Sequence, residues 1–359
     1  MKPNSLSWPR FREDLLQGPL SQQLDHLRWI SALAVAASHL RNAVFPDAAG
    51  QPLNLLEQAF YFVTLFATEA VVIFFVMSGL LVGGSILRKF DTRKYAIDRA
   101  TRLYAALLPA LALTLALQWA GTSIDCKAAD GPAAIAANLA LIQIFSEHLL
   151  CNNVSLWSLS SEAYCYLIGP CLILALRDRS PKAALLCAVL LVPAIWVATP
   201  IRSTPLFTLL LWLCGLIPWF FRVKLNAWIA AVPVLAVLVA GRLHYFPSEM
   251  LEEIVLAAAF ALLLCSDFQQ RTPPLKEAAH TLAAFSYSLY LVQMPIAQLA
   301  GWAVGRQSLP NGQISSYLIY AGFLALIVLV AWIFGQLFEK QTPRLRNMVL
   351  ARTTATSQP

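Results

Sequence analysis

Charge is what this sequence has least of. Only 13% of its 359 residues are charged, against 58% hydrophobic, which excludes a chain kept in solution by a polar surface. It also lacks internal repeats and low-complexity tracts, so solenoid and fibrous classes fall away. The opening residues are polar and carry Glu13 and Asp14, without the pattern of a cleavable leader, so the first apolar helix is expected to remain. No stretch between apolar runs is long enough for a separate soluble domain. With a mean hydropathy of +0.64, the remaining class is a polytopic integral membrane protein, all-α.

Apolar runs of spanning length, each about 20 residues, fall near 27–45, 64–87, 103–119, 159–176, 183–199, 206–221, 227–241, 252–268, 281–304 and 316–338. The run 132–145 is too short to cross and reads as a re-entrant or interfacial segment. The net charge of +7 is spread among loops and follows topology, with no nucleic-acid partner implied. With the N-terminus inside, only Arg41, Lys127, Arg202, Arg242 and Arg306 of the 26 basic residues lie outside, the asymmetry of the positive-inside rule. The expected architecture is therefore about ten transmembrane helices with both termini cytoplasmic. It comprises a cytoplasmic segment 1–24, a membrane domain 25–346 and a disordered tail 347–359.

The first span, Leu24 to Asn42, is an apolar helix with ionisable groups set into it. At about 100° per residue, His39 lies three turns beyond Arg28 on one face, with Asp25 close to that face. Ionisable groups at membrane depth are expensive and usually face a wet or protein-lined cavity. His39 is thus the first catalytic candidate; the alternative is a hydrogen bond to a neighbouring helix.

Arg99 and Arg102 stand at i and i+3 on one helical face where the third span begins. Paired guanidinium groups suit phosphate, although a lone R-x-x-R also serves as ordinary topology charge. Leu156-Trp-Ser-Leu-Ser-Ser-Glu162-Ala-Tyr164 opens the fourth span. Its aromatics suit an interface, whereas Glu162 needs a partner or a task, and topology allows it to meet His39. Glu69, in the second span, is another buried carboxylate that could pair with Arg28 or Arg41 or lie near the outer surface. Gly79, Gly83 and Gly84 read as close helix approach. Of seven cysteines, five fall in spans as packing residues, while Cys126 and Cys151 share an outer segment where an oxidising compartment allows a disulfide.

Taken in order, Leu-Asp-x-Leu-Arg28…His39, Phe74-Phe-Val-Met-Ser-Gly79, Arg99-x-x-Arg102, Trp157-Ser-Leu-Ser-x-Glu162 and Phe285-Ser-Tyr-Ser-Leu-Tyr-Leu291 resemble the acyltransferase-3 family of membrane O-acyltransferases. The resemblance runs from Leu24 to about Arg346. It implies transfer of an acyl group, usually acetyl, from acyl-CoA to a hydroxyl of a carbohydrate or glycolipid at a membrane. In that family the first-span histidine is the catalytic candidate and the R-x-x-R pair is associated with the acyl-CoA end. His26 and Trp29 stand where relatives commonly have glycine, and Gln293 where many have histidine, so no histidine role carries over there.

The leading reading assigns catalysis to His39 and Glu162, with His39 as general base or acyl carrier. Substrate contacts fall to Arg28, Arg99, Arg102, Asp25, Trp157 and Ser160, with Arg99 and Arg102 holding acyl-CoA; no metal is expected. The location implied is a bacterial inner membrane, with the lipid bilayer and glycan-assembly proteins as partners. The rival class is a transporter or glycan translocator, which needs no acyl donor. A third reading is a membrane protein that passes acyl groups to a separate soluble transferase.

Overall fold

In a lipid phase, backbone amides and carbonyls must be satisfied internally, and an apolar run does so by becoming helix. The computed structural model describes residues 15, 18–47, 52–88, 90–122, 131–146, 148–196, 205–268, 275–305 and 308–355. It is all-α; the one extended pairing among the described residues is an isolated bridge between Asn226 and Asp267.

Helix α1 (Pro19–Val44) begins on a proline, whose missing amide costs nothing there. A short helix, Leu55–Val63, precedes α2 (Ala67–Ser78), which runs through a π turn at Gly79–Gly83 into Gly84–Arg88. Then come α3 (Thr92–Trp119), started by Asp91 accepting from the Lys94 amide at 2.8 Å, and α4 (Trp157–Asp178). They are followed by α5 (Pro181–Trp196), α6 (Pro205–Cys214), α7 (Ala227–Arg242) and α8 (Glu249–Cys265). The last of the main helices are α9 (Ser286–Val304) and α10 (Ile314–Leu337), with Lys276–Ala283 ahead of α9 and Thr342–Ala355 closing the chain.

Among the described residues, four stretches are long and apolar enough to cross a membrane: Leu55–Arg88, Thr92–Trp119, Cys151–Asp178 and Ile314–Arg352. Pro181–Ile195, Pro205–Phe220 and Ala227–Arg242 are apolar but shorter. The protein is an integral membrane protein, and apolar side chains such as Leu185, Val189 and Val192 on α5 point outward, as lipid contact requires. A helix lies at each of the ten expected segments.

The chain differs from the sequence expectation at its far end. The tail expected to be disordered from 347 is helical to Ala355, because Thr342–Ala355 packs on α3 and Arg346 lies 3.7 Å from Asp98.

α9 is the hub, packing against α1, α3, α10 and the 3-10 turn Cys151–Leu156. That turn belongs to a broken segment between α3 and α4. Pro132–Ala140 ends where Leu141 turns left-handed (φ 55°), and Gln143–Ser146 follows. Asn138, Gln143, Asn152 and Asn153 are all buried in it. Side-chain amides take over where regular helix stops: Asn138 donates to the Ala134 and His148 carbonyls, and Gln143 to that of Leu156. On the other flank, α2 meets α6 with backbone nearly touching backbone. A Cβ at Gly79 would overlap the Trp212 carbonyl, and one at Gly215 that of Val76, so close helix approach is what these glycines provide.

Candidate functional site

Two cavities lie side by side in the helix bundle. The first, roughly 240 Å³, gathers Arg28 from α1 with Arg99 and Arg102 from α3. The i, i+3 spacing sends both α3 guanidinium groups to one side. Arg99 lies over the rings of Tyr95 and Tyr166, at 5.8 and 5.4 Å from their centroids, and its buried Nε has no partner. Among the described residues, neither Arg28 nor Arg102 makes a hydrogen bond or ion pair.

Two carboxylates sit within electrostatic reach of Arg28 and Arg102, and both already have donors. Glu162 accepts from the Tyr166 hydroxyl, one turn further along α4, and from Ser78 Oγ at 3.1 Å. Glu339 accepts from the backbone amide and hydroxyl of Ser288, at 3.0 and 2.7 Å. Three arginines and one already occupied carboxylate, Glu162, line the cavity itself, and the free guanidinium edges match a phosphate. Phe74, Leu81 and Leu103 supply an apolar wall beside them.

The second cavity, roughly 270 Å³, is lined by His39 together with Thr68, Trp157, Thr208, Glu253 and Tyr290. His39 is half-buried. Its Nδ1 lies 2.9 Å from Gln293 Oε1, and Nε2 is the ring nitrogen left for the cavity. Val71, Phe75 and Tyr290 line both cavities and form their common wall. Tyr290 stacks edge-on against Phe74 at 6.2 Å. An imidazole facing one chamber beside a cation-lined second chamber is suited to a reaction that takes a proton in one and holds an anion in the other.

The expected residues divide between these places. Arg28, Arg99, Arg102 and Glu162 share the basic cavity, and His39 and Trp157 share the other. Glu162 is not brought to His39; Gln293 holds the imidazole instead. The α4 register decides this, because Glu162 follows Ser158 on the face turned toward the arginines. Ser160 falls away from both cavities, since two residues along a helix is slightly more than half a turn. Its hydroxyl donates to the Leu141 carbonyl at 2.6 Å and holds the broken segment. Asp25 lines neither cavity: it lies 3.0 Å from His280 Nδ1 and acts on Arg28 only at a distance. Glu69 pairs with Arg242, neither with Arg28 nor with Arg41.

Several residues were missed in the sequence. Ser78, Tyr166 and Tyr290 are polar groups set in apolar runs and Glu253 is the second of two adjacent glutamates, and only folding brings them to the cavities, while Glu339, held by Ser288, acts on Arg28 and Arg102 at a distance. Asn152 and Asn153, a polar pair just ahead of the Trp157 motif, were the available signal for the turn that backs His39. Cys151 is disulfide-bonded, whereas Cys165, Cys171, Cys187, Cys214 and Cys265 are free; Cys126, the expected partner, lies outside the described residues. No group of three or more histidine, cysteine, aspartate or glutamate residues is arranged to hold a metal among the described residues.

A family model described as an acyltransferase domain matches residues 21–336. That stretch contains every residue that lines the two cavities. No curated protein matches the chain, and neither does any solved structure.

Proposed function

Because the chain belongs to the acyltransferase-3 family and is therefore an acyltransferase, we propose that it moves an acyl group, acetyl foremost, from acyl-CoA to a hydroxyl of a carbohydrate or glycolipid. The setting proposed is a bacterial inner membrane, with ten spans, both termini in the cytoplasm and the donor arriving from that side. Glycan-assembly proteins would supply the acceptor.

One observation carries this reading: the cavity of unpaired arginines and the cavity of His39 share a wall. Arg28, Arg99 and Arg102 would hold the donor's phosphates, and the orphaned Arg99 Nε gives a buried donor that an anion satisfies. The apolar face beside them suits the pantetheine arm, directing the thioester toward Phe75 and Tyr290. His39 then takes the acceptor's proton as its oxygen attacks the thioester carbonyl, a general-base role worth about 10²–10⁴ in rate. Glu162 orients the donor side through Tyr166, and Trp157 and Glu253 contact the acceptor.

The experiment is acyl transfer from labelled acetyl-CoA by the purified protein in vesicles, with His39→Gln alongside. Glutamine keeps hydrogen bonding but cannot accept the hydroxyl proton, so transfer should fall by at least about 10² at normal abundance. Near-parental turnover in the variant would remove His39 from the chemistry. Substrate flux across the vesicle without thioester consumption would establish the translocator in place of the transferase.

A further inference from the structure

Gln293 faces His39, and its surroundings set its task. A run of hydrogen bonds leading to His39 has its direction forced from the far end. The Leu291 carbonyl can only accept, so the group 2.9 Å from it is the Asn153 amide nitrogen. The same nitrogen lies 3.1 Å from Thr114 Oγ1, whose proton is given to the Ala110 carbonyl at 2.8 Å. Asn153 therefore turns Oδ1 toward Ser155, whose hydroxyl donates to it at 2.9 Å. With that proton used, Ser155 Oγ accepts from Gln293 Nε2 at 3.3 Å. Gln293 Oε1 is then the atom 2.9 Å from His39 Nδ1, and only a protonated nitrogen can meet a carbonyl oxygen there.

Burial makes the order binding. Asn153, Gln293 and Thr114 are buried and line neither cavity, and Ser155 is buried at the wall of the His39 cavity, so bulk solvent does not compete for their bonds. Reversing the Gln293 amide would draw the Ser155 proton away from Asn153 and leave Oδ1 without a donor, a costly state at that burial.

We propose that Asn153, Ser155 and Gln293 are positioning residues that hold His39 as the Nδ1–H tautomer, so that Nε2 presents its lone pair to the cavity. What Nε2 does there rests on the transferase reading above; which nitrogen carries the proton does not. In the transfer step, Nε2 takes the acceptor's hydroxyl proton while the acceptor oxygen bonds to the thioester carbonyl carbon. The carbon–sulfur bond then breaks, the thiolate leaves, and it recovers the proton from Nε2. Nδ1–H stays on Gln293 Oε1 throughout and supports the positive charge that the ring carries between the two transfers.

The test is nitrogen NMR on full-length protein labelled with ¹⁵N-histidine in lipid vesicles, with the His39 signals identified by their loss in His39→Gln. The neutral ring is expected to show a protonated Nδ1 and an unprotonated Nε2. A proton on Nε2, or an even mixture, would overturn the proposal. Ser155→Ala frees the Gln293 amide to reverse, and should give mixed tautomers and roughly a tenfold lower kcat with the acyl-CoA KM unchanged. In a Gln293→Glu background, where the accepting group has no nitrogen end, Ser155→Ala should cost nothing further. An equal loss in both backgrounds would reduce Ser155 to a packing residue and overturn the relay. A parent protein with the expected tautomer whose His39→Gln variant retained turnover would support the relay and refute the base role.

Discussion

The Tyr290 hydroxyl donates to the Ser155 carbonyl at 3.0 Å, tying the ring that divides the two cavities to the turn that backs His39. Ser158 Oγ lies 2.5 Å from the same hydroxyl, so the ring is held from both α4 and the turn before it. Tyr290→Ala would open one chamber to the other and let water reach the thioester beside His39. Acyl transfer should fall roughly tenfold or more from lost positioning, while hydrolysis of acetyl-CoA without acceptor rises. Tyr290→Phe keeps the ring and should keep hydrolysis low. Equal hydrolysis in parent and Tyr290→Ala would show that the ring is no barrier.

For Arg99 and Arg102, lysine preserves charge and insertion but not the planar fork that meets a phosphate with two bonds. Arg102→Lys and Arg99→Lys should each weaken acyl-CoA binding by roughly tenfold, about the worth of one charge-assisted hydrogen bond. Abundance in the membrane should not change. Calorimetric titration with acetyl-CoA decides the matter, and unchanged affinity in both would return the pair to a topology signal.

Cys151 is disulfide-bonded while the cysteines at 165, 171, 187, 214 and 265 are free. Peptide mapping under non-reducing conditions should join Cys151 to Cys126. Closing that loop is worth about 3–4 kcal/mol, so Cys151→Ser should lower the thermal midpoint by several degrees. Two free thiols in protein from an oxidising compartment would refute the pairing.

Much of the fold was legible because length and hydropathy alone set where helices form in lipid. His39 and Arg28 stood out because a charged or titratable group in an apolar helix is rarely idle, and Arg99 and Arg102 because an i, i+3 spacing puts two guanidinium groups on one face. Partnership was not legible. Whether Glu162 faces His39 or the arginines depends on how α4 is rotated against α2, and no periodicity within one helix records that. Gln293 and Asn153 were hidden more deeply. An uncharged amide in an apolar run carries the same weak signal whether it caps a turn or holds an imidazole, and its role resides in the direction of its hydrogen bonds.

The shared wall of Val71, Phe75 and Tyr290 also bears on the order of events. With the donor in one chamber and the acceptor in the other, as proposed, both are bound before any bond breaks and the reaction passes through a ternary complex. Plots of reciprocal velocity against reciprocal acetyl-CoA, taken at several acceptor concentrations, should then converge to a common point. Were His39 to carry the acyl group itself, the first product would depart before the second substrate was needed, and the same plots would run parallel.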